Sequence, residues 1–174
     1  MSDQSASERI RTAVVVGNPK PASRTLSAAT HVARELTGSE PDLVVDLATL
    51  GPEVLDHRSA GVAELVGLVG QADLVVVASP TYKGTYTGLL KVFLDRFAGG
   101  TGLRGLAVPL LLGAGPQHAL ASELTLRPVL TELGATVPGR GLFVLDTHYE
   151  DPAAYDPWLE DARPLVRALL QAVA

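Results

Sequence analysis

Short apolar runs alternate along this chain with segments whose apolar residues recur at helical spacing. The runs at Ile10 to Val16, Leu43 to Leu47, Leu74 to Ala78, Leu106 to Leu112 and Arg140 to Leu145 predict strands. The central ones are continuous and β-branched rather than alternating, as in strands covered on both faces. Between them, Leu26, Ala29, Val32, Ala33 and Leu36 mark a helix that Gly38 stops. Ala60 to Gly70 reads as a helix weakened by Gly61 and Gly67, and Thr87 to Ala98 as one with Leu90, Phe93, Leu94 and Phe97 on a single face. Gln117 to Leu133 reads as a long helix bent at Pro128, whose ring nitrogen carries no proton, and Pro157 to Val173 as the last helix. Ala48 to Ser59 has two breakers and mixed polarity and reads as a loop across one sheet end.

Strands alternating with helices give an α/β fold: a doubly wound, five-stranded parallel sheet with helices on both faces. Of the common doubly wound orders, five strands favour 2-1-3-4-5, whose ligand crevice lies at the carboxyl ends of strands one and three. The 174 residues suit a single domain, residues 10–174, preceded by a polar tail, residues 1–9, of disordered composition.

Composition narrows the chemistry. With no cysteine, thiol nucleophiles, Cys-held zinc, iron–sulfur clusters and disulfide scaffolds are excluded. A net charge of −5, with dispersed acids, argues against nucleic acid as partner. No apolar run reaches membrane-spanning length and the amino terminus lacks a signal pattern, so a cytoplasmic protein without membrane contact is expected. His31, His57, His118 and His148 are scattered, and no metal site is expected.

Three chemically loaded loops follow strands one, three and four, which the predicted order sets side by side. The first offers Asn18, Lys20, Ser23, Arg24 and Thr25 ahead of a helix whose free N–H groups favour an anion. Two readings stand open there: a phosphate site, or a helix cap by Ser23 or Thr25 with solvated cations. The second loop, Pro80, Thr81, Tyr82, Lys83 and Gly84, carries hydroxyls, an aromatic ring and a cation. The third, Gly113, Ala114 and Gly115, lacks bulk, so a ring could lie on bare backbone; a tight strand-to-helix turn is the other account of the same glycines. A phosphate pocket beside a planar slot describes a mononucleotide.

The loops read GNPKPASRT and SPTYKGTYTGLLK. They resemble the first loop, Gly-Ser-x-Arg-x-x-Ser-x-Asn/Thr, and the second, Ser/Thr-Pro-x-Tyr-x-x-x-x-Pro/Ser-Gly-x-Leu-Lys, of the NAD(P)H-dependent FMN reductases of the flavodoxin-like superfamily. Ser79, Pro80, Tyr82, Gly88, Leu90 and Lys91 fall at family positions without a gap, and Leu126-Arg127-Pro128-Val129-Leu130 is similar to a later family segment. Within the family, the likeness is greatest to the reductase components of two-component alkanesulfonate monooxygenases. Asn18, Lys20 and Thr87 depart from the usual Ser, Arg and Pro or Ser, each keeping polarity or charge.

The resemblance implies a flavodoxin-like fold, FMN with NADPH or NADH as cofactors, and hydride transfer needing no catalytic side chain. It places Tyr82, Lys83 and Gly84 on the flavin ring and Lys20 with Arg24 on phosphates. It also implies a homodimer or homotetramer and a flavin-dependent monooxygenase as partner. Tyr86 stands where relatives carry a flap over the flavin; a core or dimer-face aromatic is the alternative. His118 is either an ordinary first-turn histidine or a neighbour of the nicotinamide. A quinone or azo-dye reductase that keeps its flavin, and a flavodoxin-type electron carrier, are the competing functions.

Overall fold

The computed structural model describes residues 10–173, so the tail at residues 1–9 lies outside the described residues. Five strands, β1 (Thr12–Val16), β2 (Leu43–Asp46), β3 (Leu74–Pro80), β4 (Leu106–Gly113) and β5 (Leu142–Leu145), form one parallel sheet in the order β2-β1-β3-β4-β5. The central strands β1, β3 and β4 are buried along almost their whole length, which is why their sequences are continuously apolar.

Alternate residues of each strand serve opposite faces. Ala13 and Val15 of β1 join one core with Val75, Val77, Ala107 and Leu111; Val14 and Val16 join the other with Leu74, Val76, Val108 and Leu110. The first core is closed by α2 (Ala60–Gly70), α3 (Gly88–Leu94) and α4 (Arg127–Glu132), the second by α1 (Arg24–Thr37) and α5 (Asp156–Val173). Gly38 ends α1 with φ 75°, its N–H donating to Arg34 O, as the sequence predicts.

Three predicted elements differ. The segment read as a loop at Ala48 to Ser59 contains 3-10 turns over Leu47–Leu55, kinked at Gly51, and buries Leu47 and Val54 in the first core. Arg96 holds its end by donating to the carbonyls of Asp56 and His57. The third helix is shorter than Thr87 to Ala98, with Thr87 as its N-cap and a turn after Leu94, although Leu90, Phe93, Leu94 and Phe97 all enter the core. The long helix at Gln117 to Leu133 is broken into a 3-10 turn at Pro116–His118, a π-helical segment at Ser122–Leu126 and α4.

The break has a local cause. Pro128 carries no N–H, and in an unbroken α-helix its ring would crowd the carbonyl of Leu124. Widening the turn, so that Arg127 N donates to Ser122 O, avoids that clash and puts Pro128 in the first turn of α4, where proline is tolerated. Leu124 within the widened segment and Leu120 just ahead of it are exposed, at 67% and 66%.

The amino edge is clasped by two aspartates. Asp42 Oδ2 accepts from Thr12 N at 2.8 Å, and Asp73 Oδ2 accepts from Arg11 N at 2.8 Å. At the carboxyl edge the loops after β1 and β3 are bolted together: Thr87 Oγ1 donates to Gly17 O at 2.5 Å, while Thr87 N donates to Ser79 Oγ at 3.0 Å. Thr87 Oγ1 also accepts from Leu90 N at 3.2 Å, capping α3. Gly17 lies so close to α3 that a Cβ there would sit 2.3 Å from Leu90 Cβ.

Two stability measurements follow from these contacts. Thr87→Val removes the cap and strands the buried Gly17 carbonyl, so chemical denaturation should show a loss of about 1–3 kcal/mol that Thr87→Ser largely restores. At Asp73, burial acts to raise the carboxyl pKa, but the side-chain and backbone hydrogen bonds from Arg11, with its charge, outweigh burial and hold it below its ordinary 3.8. A depressed folded-state pKa contributes stability above the unfolded value and loses it as pH falls. Asp73→Asn should therefore be less stable than the parent near neutral pH, the gap closing as pH drops below about 3.8. A gap unchanged down to about pH 2 would refute the clasp.

Candidate active site at the carboxyl edge of the sheet

In the first loop, most of the polar side chains hold the loop itself. Asn18 Nδ2 donates to Thr25 Oγ1 at 3.0 Å, and Asn18 Oδ1 accepts from Lys20 N at 2.9 Å. Ser23 is buried and caps α1, its Oγ accepting from Leu26 N at 3.3 Å. Ala22, with φ 49°, is kept in a left-handed conformation by Asp46 Oδ2, which accepts its N–H at 3.0 Å. The cap reading therefore holds for Ser23, and it leaves the anion reading intact. The first turn of α1 has no acidic residue, its leading N–H groups have no intrahelical acceptor, and Lys20 stands exposed beside it.

Arg24 reaches across the edge to the loop after β5. Its guanidinium lies 3.5 Å from Asp146 Oδ2, donates to Asp146 O at 3.4 Å, and sits 5.7 Å above the Tyr149 ring. Tyr149 is held in turn by the fully buried Tyr155, whose hydroxyl donates to Tyr149 O at 2.7 Å. Burial first, and the neighbouring Tyr149 second, push the Tyr155 phenol up to about 12, so it remains a neutral donor. Asp146, near Glu150 and Asp151 in an acidic loop, is the partner of Arg24. The separation of 122 residues hides that pairing from any local pattern.

The second loop is a two-residue hairpin. Tyr82 N donates to Thr85 O at 2.8 Å and Thr85 N to Tyr82 O at 3.3 Å, with Lys83 and Gly84 at φ 54° and 82°. Positive φ at both central positions defines a type I′ turn, and Lys83 occupies it at a steric cost that glycine would not incur. The turn presents Tyr82 to solvent at 53% exposure, a flat surface at the lip of the edge. Pro80 ends β3, and Thr81 N donates to Leu112 O at 2.6 Å, tying this loop to β4. Tyr86 is half-buried and packs against the first core.

The third loop is bare on one side for a packing reason. A Cβ on Gly113 would meet the Phe143 ring at 2.6 Å and Thr81 Oγ1 at 3.4 Å. Ala114 is exposed and Gly115 buried before the turn Pro116–His118. Among the described residues, Thr81 Oγ1 and His118 Nδ1 are the buried side-chain polar atoms without a hydrogen-bond partner. Thr81 directly follows β3 and His118 closes the turn Pro116–His118 after β4. Sequence reasoning had set Thr81 at the site but left His118 open between two roles; the burial of Nδ1 is visible only in the fold.

These features fit FMN. A helix that starts with Arg24 and has no acidic residue in its first turn suits a phosphate, and the exposed Tyr82 turn together with a bulk-free loop suits a planar heterocycle. A groove of about 1030 Å³ opens at the opposite, amino edge, beside Arg11, Asp73, Arg104 and Gly105. None of the loop residues discussed above lines it.

Comparison with known proteins agrees with the placement. A family model described as NADPH-dependent FMN reductase matches residues 10–150, a span that includes all three loops. FMN reductase (NADPH) of Escherichia coli strain K12 is 30% identical over 146 residues, covering 82% of this chain and 76% of the relative. The NADH-dependent FMN reductase SfnF of Pseudomonas putida is 34% identical over 107 residues, 58% of this chain and 57% of the relative. The apo crystal structure of the NADH:FMN oxidoreductase EmoB superposes with a TM-score of 0.77 at 29% identity, over 94% of this chain and 89% of that one. The fold, the loop sequences and the extent of these matches together show that this chain belongs to the NADPH-dependent FMN reductase family.

Proposed function

We propose that this chain binds FMN and NADPH or NADH at the carboxyl edge of its sheet and delivers reduced FMN to a flavin-dependent monooxygenase. What supports the placement is the pair of hydrogen bonds by which Thr87 joins the end of β1 at Gly17 to the end of β3 at Ser79, the strands whose loops carry Lys20 and Tyr82. When bound, FMN supplies the hydride acceptor and the nicotinamide the hydride.

The chain's own contribution is binding and alignment. Lys20 and the leading amides of α1 hold a phosphate. Arg24 is paired with Asp146 through a solvent-exposed contact of the kind worth about 0–1 kcal/mol, so a phosphate can draw it away. Tyr82 and the turn backbone at Lys83 and Gly84 flank the ring, Ala114 and Gly115 pass beside it, and Tyr86 shields it from water. The apolar face of the helix after Thr87 is consumed by the core at Leu90, Phe93 and Leu94, while Leu120 and Leu124, ahead of Pro128, remain outward. The reading keeps a homodimer or homotetramer acting in the cytoplasm, supported by family membership, those two leucines and the lack of a membrane-spanning helix among the described residues.

Mixing the protein with FMN and either nucleotide should bleach the nicotinamide absorbance; no oxidation of NADPH or NADH would sink the reading. Rapid exchange of the flavin with added FMN separates it from a flavin-retaining quinone reductase, and direct reaction with the nucleotide separates it from an electron carrier. Lys20→Ala should raise the FMN dissociation constant roughly 10- to 150-fold, the equivalent of one charge-assisted hydrogen bond, yet leave riboflavin binding unchanged because riboflavin has no phosphate. Tyr86→Ala should speed flavin release in stopped-flow measurements. Flavin retention and turnover both equal to the parent's would remove Tyr86 from the mechanism.

A further inference from the structure

Among the described residues, Ala22 and Lys83 are the non-glycine residues with positive φ, at 49° and 54°. A left-handed backbone crowds the Cβ of an L-residue, so each position needs a reason. Ala22 has one in its own backbone, whose N–H is held by Asp46 Oδ2 at 3.0 Å. Lys83 has no such tie. It fills the first central position of a type I′ turn, where asparagine, aspartate or glycine is favoured, and its exposed side chain makes no hydrogen bond or ion pair with a described residue. A residue that breaks a local rule without a compensating contact points to a functional constraint.

The turn is a firm mount for that charge. Tyr82 N donates to Thr85 O at 2.8 Å and Thr85 N to Tyr82 O at 3.3 Å, while Ser79 Oγ, at the foot of the hairpin, accepts from Thr87 N at 3.0 Å. Lys83 therefore stands on a fixed backbone beside the exposed Tyr82, and meeting a ligand orders only its own stem.

Charge selects what meets it. The segments after β3 and β4, residues 81–87 and 114–121, hold one Lys or Arg between them, Lys83. The cations of the first loop are already engaged, Lys20 by the flavin phosphate in the proposed function and Arg24 by Asp146. A nicotinamide nucleotide stacked over the flavin brings its own pyrophosphate, and NADPH a further phosphate. With a net charge of −5 the chain repels such an anion on average, so a local cation is needed where it docks.

We propose that the Lys83 ammonium binds a phosphate of the nicotinamide nucleotide, making Lys83 a binding residue for the hydride donor. The inference rests on the reading of this edge as the site of FMN and the nucleotide. It separates two anion sites: Lys20 answers to the flavin, and Lys83 to the donor that reduces it.

The test compares steady-state oxidation of NADPH and of NADH, at saturating FMN and without a monooxygenase, in the parent, Lys83→Arg, Lys83→Asn and Lys83→Glu, together with their FMN dissociation constants. Lys83→Asn should raise KM for the nucleotide roughly 2- to 5-fold, the worth of an exposed ion pair, and Lys83→Glu roughly 5- to 25-fold, because repulsion replaces attraction. Lys83→Arg should stay near the parent, and FMN affinity should not follow the series. Added salt should narrow the gap between the parent and Lys83→Asn. A larger loss with NADPH than with NADH assigns the contact to the 2′-phosphate, an equal loss to the pyrophosphate, and either supports the proposal. Because asparagine suits the left-handed turn, Lys83→Asn should melt about 0–4 °C above the parent, so its raised KM does not come from a damaged fold.

An unchanged KM for both nucleotides in Lys83→Glu overturns the proposal. So does a loss that follows FMN affinity instead, or one that emerges only when a partner monooxygenase is added, which would assign the lysine to a protein surface. Failure of the parent to bind FMN or oxidise either nucleotide would be a failure of the site reading itself; an active parent with an unaltered Lys83→Glu would leave that reading standing.

Discussion

Thr87 donates its hydroxyl to the carbonyl of Gly17 while its amide is held by Ser79, so the loops after β1 and β3 form one body rather than two. The same hydroxyl caps α3, which sets the helix against Gly17 with no room for a side chain between them. Each group in this set is buried, and each would be an unsatisfied polar atom if its neighbour moved. In the proposed function, phosphate and ring contacts come from these different loops and must keep a fixed separation.

The remaining features are arranged around this bolt with little redundancy. Asn18, Ser23 and Thr25 hold the first loop in shape, while Lys20 stands exposed and Arg24 is paired with Asp146. Gly113 yields space to Phe143 and Thr81, which brings the third loop against the second. The π-helical turn before Pro128 resolves a clash within the helix, and Leu124 within it and Leu120 just ahead of it are exposed.

Fold and site differ in how openly the sequence displays them. Strand identity and order were legible because a strand buried on both faces must be apolar throughout, as Val14, Val76 and Val108 show. Helix ends at Ser23 and Gly38 were legible because capping is local chemistry. The division of the segment Gln117 to Leu133 was not, since the proline signal gives a disruption but not its form. The 3-10 turns at Leu47–Leu55 were missed because Gly51 and Pro52 mask two residues that nonetheless reach the core.

By itself, the sequence determined the α/β class, the sheet order, the three loops that meet at one edge and the family to which the chain belongs, since each follows from periodicity or from contiguous motifs. Tertiary structure alone decided which of those loop residues face inward as scaffold, that Arg24 answers to Asp146 across 122 residues, and that Thr81 Oγ1 and His118 Nδ1 are buried without a hydrogen-bond partner. The reason is physical: propensity and capping act over a few neighbouring residues, whereas the satisfaction of a buried polar atom depends on whatever distant segment packs against it.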